Sequence, residues 1–104
     1  MRFASDNTSG AAPEIIAAIL RANEGYERSY GADTAMERVT ALVRQAFEAP
    51  QAEVRLVATG TAANALAIAT HVQPWDGVFC HRHAHIAEDE CNAPELYSGA
   101  KLVL

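Results

Sequence analysis

A change of period halfway along the chain constrains the fold most. Up to Pro50 the apolar residues recur at helical spacing, and from Val54 onward short β-type runs alternate with helical ones. Val54-Arg55-Leu56-Val57-Ala58 reads as a strand, Thr59-Gly60-Thr61 as the turn after it, and Ala62 to His71 as a helix of small residues that allows close packing. Pro74-Trp75-Asp76-Gly77 reads as a turn and Val78 to His81 as a second strand. A polar stretch with a short helix then runs from His85 to about Asn92, and Lys101 to Leu104 reads as a third strand. Strand, helix, strand, helix, strand is the order of a parallel sheet, which places the chain in the α/β class. Parallel sheets are normally covered on both faces, and three short strands with two open edges make a poor unit by themselves. The expectation is the N-terminal part of a larger protein rather than a complete small domain.

The first half supplies two helices. Pro13-Glu14 opens one, because proline suits the first turn and an early acid suits the dipole. Ile15, Ile16, Ile19 and Leu20 form its apolar stripe, and Gly25 is its stop. A polar loop from Tyr26 to Asp33 follows. The second helix starts near Thr34, where Thr34-x-x-Glu37 reads as a capping box. Met36, Val39, Leu42, Val43, Ala46 and Phe47 share a face, and Pro50 lies just past the end. The chain's 22 alanines favour closely packed helices. Met36, Trp75 and Phe79 read as core.

At 104 residues, half of them apolar and a fifth charged, the chain is one domain's worth of ordinary globular sequence and not a disordered tail. No apolar run approaches the roughly 18 residues of a membrane span. Met1 to Asn7 has no apolar stretch behind its basic residue, so it does not read as a secretory signal, and a cytoplasmic location is expected. Eight basic residues against 13 acidic give a net charge of −5. Seven arginines and the single Lys101, thinly spread, do not make the positive face that a nucleic-acid binder needs. Cys80 and Cys91 read as free thiols.

Three segments carry possible chemistry. Val57-Ala58-Thr59-Gly60-Thr61-Ala62-Ala63-Asn64 turns a strand into a helix, and the outward amides and dipole of a helix N-terminus attract anions. Gly60 lets a phosphate approach the backbone and Thr61 adds a hydroxyl. The glycines and lysine of a Walker A loop, and the pattern G-x-G-x-x-G, are absent. The bland reading is a plain turn with a threonine cap. The second segment is His81-Arg82-His83-Ala84-His85, followed by Glu88, Asp89, Glu90 and Cys91. Histidines at spacing two share a face in an extended segment, so a metal-binding module or metallohydrolase using His81, His83 and His85 with a nearby carboxylate is an alternative. Against it, the strand ends near His81, and a His at a strand's carboxyl end often lines a ligand pocket. The third segment, Ser5-Asp6-Asn7-Thr8, is by itself a polar coil with local turns.

The order of the motifs is more specific than any one of them. Ser5-Asp6-Asn7-Thr8-Ser9-Gly10-Ala11, Ala22-Asn23-Glu24-Gly25, Tyr30-Gly31-Ala32-Asp33, Ala58-Thr59-Gly60-Thr61-Ala62-Ala63-Asn64, Ala84-His85-Ile86, Asp89-Glu90-Cys91 and Ala93-Pro94-Glu95 follow one another along essentially the whole chain. The sequence resembles the N-terminal part of the low-specificity L-threonine aldolases, pyridoxal-phosphate enzymes with the aspartate-aminotransferase (fold type I) architecture. The resemblance implies residues 1–104 as an incomplete large domain, with a mostly parallel sheet flanked by helices. Its implied parts are an arm and helices over 1–50, a phosphate-loop unit over 54–72 and a cofactor-stacking segment over 78–104.

The same resemblance implies cleavage of L-threonine or L-allo-threonine to glycine and acetaldehyde by a cytoplasmic homodimer or homotetramer. By position, Thr59, Gly60 and Thr61 match the cofactor-phosphate loop. His85 matches the histidine that stacks on the pyridine ring, where it can also handle the substrate's hydroxyl proton. Glu90 matches a nearby acid that supports the cofactor site, and Ser5 a residue near the substrate carboxylate. Tyr30 and Asp33 match a loop near the subunit interface. The Schiff-base lysine of such enzymes is expected beyond residue 104, so Lys101 is not assigned that role. The pyridine-nitrogen acid and the carboxylate-binding arginines are likewise expected later. The 104 residues alone are therefore expected to be inactive, and a fragment that only associates with a partner chain is a further alternative. A β-eliminating lyase shares the scaffold, but the motifs lie closer to the aldolases.

Overall fold

Helix α1 (Pro13–Ala22) begins where the sequence places it, with Pro13 in the first turn and Glu14 beside the dipole's positive end. The computed structural model describes residues 8–104, which divide into two units, one up to Val54 and one from Arg55. In the first unit, α1 ends at the Asn23 cap, and Gly25 takes a left-handed φ of 78° just beyond. Helix α2 (Thr34–Ala46) follows a turn in which Tyr30 and Gly31 are both left-handed.

The cap of α2 is one residue earlier than the capping-box reading. Asp33 accepts from the Met36 amide at 2.8 Å, while the Thr34 hydroxyl donates to Glu27 Oε1 at 2.9 Å. Asp ranks at least as high as Thr at an N-cap, so the nearer carboxylate takes the helix end. After α2, Arg44 Nε donates to the Ala52 carbonyl at 2.8 Å and folds the following segment back on the helix. None of the described residues of this unit is buried. Met36, Val39 and Val43 are half-buried, whereas the whole α1 stripe is exposed, Ile16 at 47% being its most covered member.

The second unit holds helix α3 (Gly60–His71), strand β1 (Gly77–Phe79), helices α4 (His85–Glu88) and α5 (Ala93–Ser98), and strand β2 (Lys101–Val103). The strands pair in parallel, Gly77 with Lys101, Val78 with Leu102 and Phe79 with Val103. Bonds from Lys101 N to Asp76 O and from Cys80 N to Val103 O extend the ladder at each end. Gly77 is there for space, since a Cβ on it would stand 3.2 Å from the Val103 methyl. The core is small, with Ala65 of α3, Pro94 and Ser98 of α5, and Ala100 all buried. Alanine at position 65 lets α3 and α5 approach closely. The buried Ser98 hydroxyl is satisfied twice, donating to Pro94 O at 2.6 Å and accepting from Ala100 N at 3.1 Å.

Four expectations change here. Residues 54–58 form no strand, and the sheet of the described residues has two members, β1 and β2. An extended run needs a neighbour to become a ladder. Strand β1 spans 77–79, so His81 lies in the turn beyond it. The polar helix expected over 85–92 stops at Glu88, and a separate α5, unread in the sequence, follows two left-handed residues, Cys91 and Asn92. Trp75 and Phe79 are exposed rather than core, at 81% and 84%. Alternation along a three-residue strand gives Val78 to the covered face and leaves Phe79 on the open one.

Candidate active site

The turn into α3 is built by Thr59. Its hydroxyl accepts from the Ala62 amide at 3.1 Å and fixes the helix start at Gly60, two residues before the expected one. The first amides of a helix project beyond its end with the positive pole of the dipole. The first turn of α3 contains no acidic residue to occupy that pole. A Cβ added at Gly60 would meet nothing within 4 Å, so the approach to this helix end is open. Thr61 is half-buried beside it.

His85 is the first residue of α4, and its ring is largely exposed. Its Nδ1 lies 2.8 Å from Glu90 Oε1. Glu90 sits in the turn between α4 and α5 with a fully buried side chain. The same Oε1 accepts from Asn64 Nδ2 at 2.6 Å. The other carboxyl oxygen, Oε2, is buried with no hydrogen-bond partner among the described residues. Burying a carboxyl group is expensive, and two bonds on a single oxygen offset only part of that expense. The left-handed pair Cys91 and Asn92 directly after Glu90 adds strain of roughly 1–2 kcal/mol per non-glycine residue. Strain and an under-satisfied buried acid side by side are features that functional sites concentrate.

A carboxylate at Glu90 only accepts, so a neutral His85 ring bonded to it would carry its hydrogen on Nδ1 and leave the lone pair on Nε2. The described residues therefore unite Asn64, His85 and Glu90, with Thr59, Gly60 and Thr61 at the start of the helix that carries Asn64. Ser5 lies outside the described residues. Asn64 is the member that sequence reasoning missed. Its signal was present: a side-chain amide within a helix otherwise made of small and apolar residues is a poor helix former with some other task.

The alternative metal arrangement does not form. His83 turns to Glu88 at 2.7 Å, His85 turns to Glu90, and His81 Nδ1 accepts from the His83 backbone amide at 3.1 Å. Among the described residues no three potential ligands converge on one point. The turn at 81–84 ends the extended geometry on which the shared face depended.

A comparison with known proteins gives the family of the chain. The chain belongs to the beta-eliminating lyase family, whose sequence profile it matches over residues 2–104. Within that family its relatives are aldolases. It is 48% identical over 104 residues to the low specificity L-threonine aldolase of Pseudomonas aeruginosa, and 46% identical over 103 residues to that of a Pseudomonas species. These alignments take in 99% and 98% of this chain but 30% of each relative, so the chain spans under a third of their length. The threonine aldolase of Leishmania major superimposes with a TM-score of 0.83 at 29% identity, over 92% of this chain and 28% of that one. The α/β fold is that of the corresponding part of a fold type I large domain. Both groups of enzymes depend on pyridoxal phosphate in general.

Proposed function

We propose that these residues serve a pyridoxal-phosphate-dependent carbon–carbon lyase, a threonine aldolase releasing glycine and acetaldehyde from L-threonine or L-allo-threonine. The observation that carries this reading is the buried Glu90 carboxyl fastened to His85 and Asn64, on the helix whose acid-free start is open at Gly60. The arrangement fits the cofactor. The helix end suits a phosphate group, the exposed imidazole suits an aromatic ring, and the orphaned Glu90 oxygen marks a polar site with an acceptor left unmet.

In this reading the Gly60 and Thr61 amides and the Thr61 hydroxyl hold the phosphate, and Thr59 keeps the helix end in shape. His85 lies against the pyridine ring and presents Nε2 to the substrate's β-hydroxyl proton. An imidazole so placed can take that proton and return it. Glu90 holds the ring from behind through Nδ1. Ser5 is assigned to the substrate carboxylate. When bound, pyridoxal phosphate supplies the electron sink that cleavage of the Cα–Cβ bond requires.

The reading extends to a homodimeric or homotetrameric, cytoplasmic enzyme of threonine catabolism with no nucleic-acid or membrane partner. The exposed α1 stripe supports association, and no helix of the described residues is long and apolar enough to cross a membrane. It also holds that the 104 residues alone do not turn over, since the relatives are more than three times as long. The test measures acetaldehyde release from L-threonine and L-allo-threonine, with added pyridoxal phosphate, for the complete gene product and for the 104-residue chain. Release by the first and none by the second is expected. A cofactor-loaded gene product that leaves both amino acids intact overturns the aldolase assignment.

A further inference from the structure

Asn64 stands in the second turn of α3, with alanines on either side that are better helix formers. Among the described residues its side chain makes one bond, from Nδ2 to Glu90 Oε1 at 2.6 Å, across 26 residues of sequence. The same oxygen faces His85 Nδ1, and Glu90 Oε2 has no partner among the described residues. The carboxyl group is thus fixed at one atom only. Burial confines the side chain but does not by itself set the angle at which Oε1 meets the imidazole, because the terminal torsion of a glutamate is broad and has no sharp rotamers. Asn64 supplies the second fixed point.

We infer that Asn64 is a positioning residue for His85. By holding Glu90 Oε1 in place, it keeps the imidazole hydrogen on Nδ1 and leaves Nε2 as the proton acceptor. In a neutral imidazole one nitrogen donates and the other accepts, and the bond made by one decides the state of the other. A carboxylate that loses its second anchor no longer enforces that choice, and the ring relaxes toward the Nε2–H form that free imidazole side chains prefer. Asn64 itself need touch neither substrate nor cofactor. The inference rests on the reading of His85 as the proton-handling residue, but its test does not use turnover.

The experiment is the ring-nitrogen spectrum of the complete gene product labelled with 15N at histidine, taken where the imidazoles are neutral. A His85→Gln sample assigns the signals of His85, and matching His71→Gln and His81→Gln samples assign the controls. In the unaltered chain Nδ1–H is expected as the major form of His85. In Asn64→Ala, a substitution that α3 accommodates readily, Nδ1–H becomes the minor form while His71 and His81 keep their signals. A His85 tautomer unmoved by Asn64→Ala overturns the proposal. A second measurement needs no variant. One side-chain amide proton of Asn64 in the unaltered chain is expected downfield and protected from solvent exchange, and an ordinary, freely exchanging Asn64 amide overturns the proposal equally. If threonine is not cleaved but the tautomer shifts, the aldolase reading falls and the positioning role stands. An unshifted tautomer in an active enzyme gives the reverse.

Discussion

Asn64 and His85, on different helices, meet on a single atom, Glu90 Oε1, at 2.6 and 2.8 Å. This one oxygen ties the helix that starts at Gly60 to the imidazole that starts α4. The Glu90 side chain is sealed from solvent, so the link is protected at its carboxyl end while the His85 ring stays largely exposed. Helices α3 and α5 meet beside it, with Ala65 of α3 and Pro94 of α5 both buried.

Glu90→Ala is expected to lower the stability of the chain by about 2 kcal/mol, the sum of two hydrogen bonds worth about 1 kcal/mol each. Glu90→Gln retains an oxygen that can accept both bonds and removes a buried charge with one unmatched oxygen, so it is expected to cost less. Urea unfolding, followed by the midpoint at constant slope, separates the two variants. Glu90→Ala with an unchanged midpoint would show that the shared oxygen holds nothing together.

The caps give a cleaner contrast. Asp33→Ala removes the acceptor for the Met36 amide and is expected to cost about 1 kcal/mol together with helix signal in far-ultraviolet circular dichroism. Thr34→Ala loses only an exposed bond to Glu27 and is expected to cost less. The opposite ranking would restore Thr34 as the cap that its capping-box spacing suggested.

Why that spacing misled is a matter of physics. Thr34-x-x-Glu37 and Asp33-x-x-Met36 are overlapping windows, and pattern alone does not say which hydroxyl or carboxylate reaches the helix end. The helices α1, α2 and α3 were legible because apolar period, proline and small-residue runs are local properties. Residues 54–58 carry the composition of a strand but are not one, since pairing depends on a neighbour that local sequence does not contain. Trp75 and Phe79 read as core because large aromatic residues usually are, yet a two-stranded sheet covers only one face. At the site, His85 and Glu90 could be picked out by motif. The bond that joins them to Asn64 spans 26 residues and exists only once α3 packs against α5.

Gly60 and Gly99 should respond differently to alanine. Gly99 has a left-handed φ of 71°, and a Cβ there would stand 3.0 Å from the Pro74 side chain. Gly99→Ala is therefore expected to destabilise by at least about 1–2 kcal/mol from the backbone conformation alone. Gly60 has neither constraint, and alanine is the better helix former, so Gly60→Ala is expected to be neutral or slightly stabilising. In the complete gene product the same change should weaken pyridoxal-phosphate binding, because a methyl group would intrude on the phosphate's approach. Equilibrium dialysis reads the affinity, and an unchanged value would remove Gly60 from the phosphate site.

Lys101 is the only lysine in the chain and so the natural suspect for covalent attachment of the cofactor. Its setting argues otherwise. It opens β2 in register with Gly77, and its backbone amide is committed to Asp76 O at 3.2 Å. No bond joins its side chain to His85, Glu90 or Asn64, the groups around which the site is built. Lys101→Arg keeps the charge and the strand but cannot form an imine. In the complete gene product, loaded with pyridoxal phosphate and reduced with borohydride, Lys101→Arg is expected to carry the same single adduct by intact mass as the unaltered enzyme. Peptide mapping is expected to place that adduct on another lysine. Loss of the adduct in Lys101→Arg would make Lys101 the attachment point and would require the β2 end of the sheet, rather than the His85 side, to face the reacting carbon.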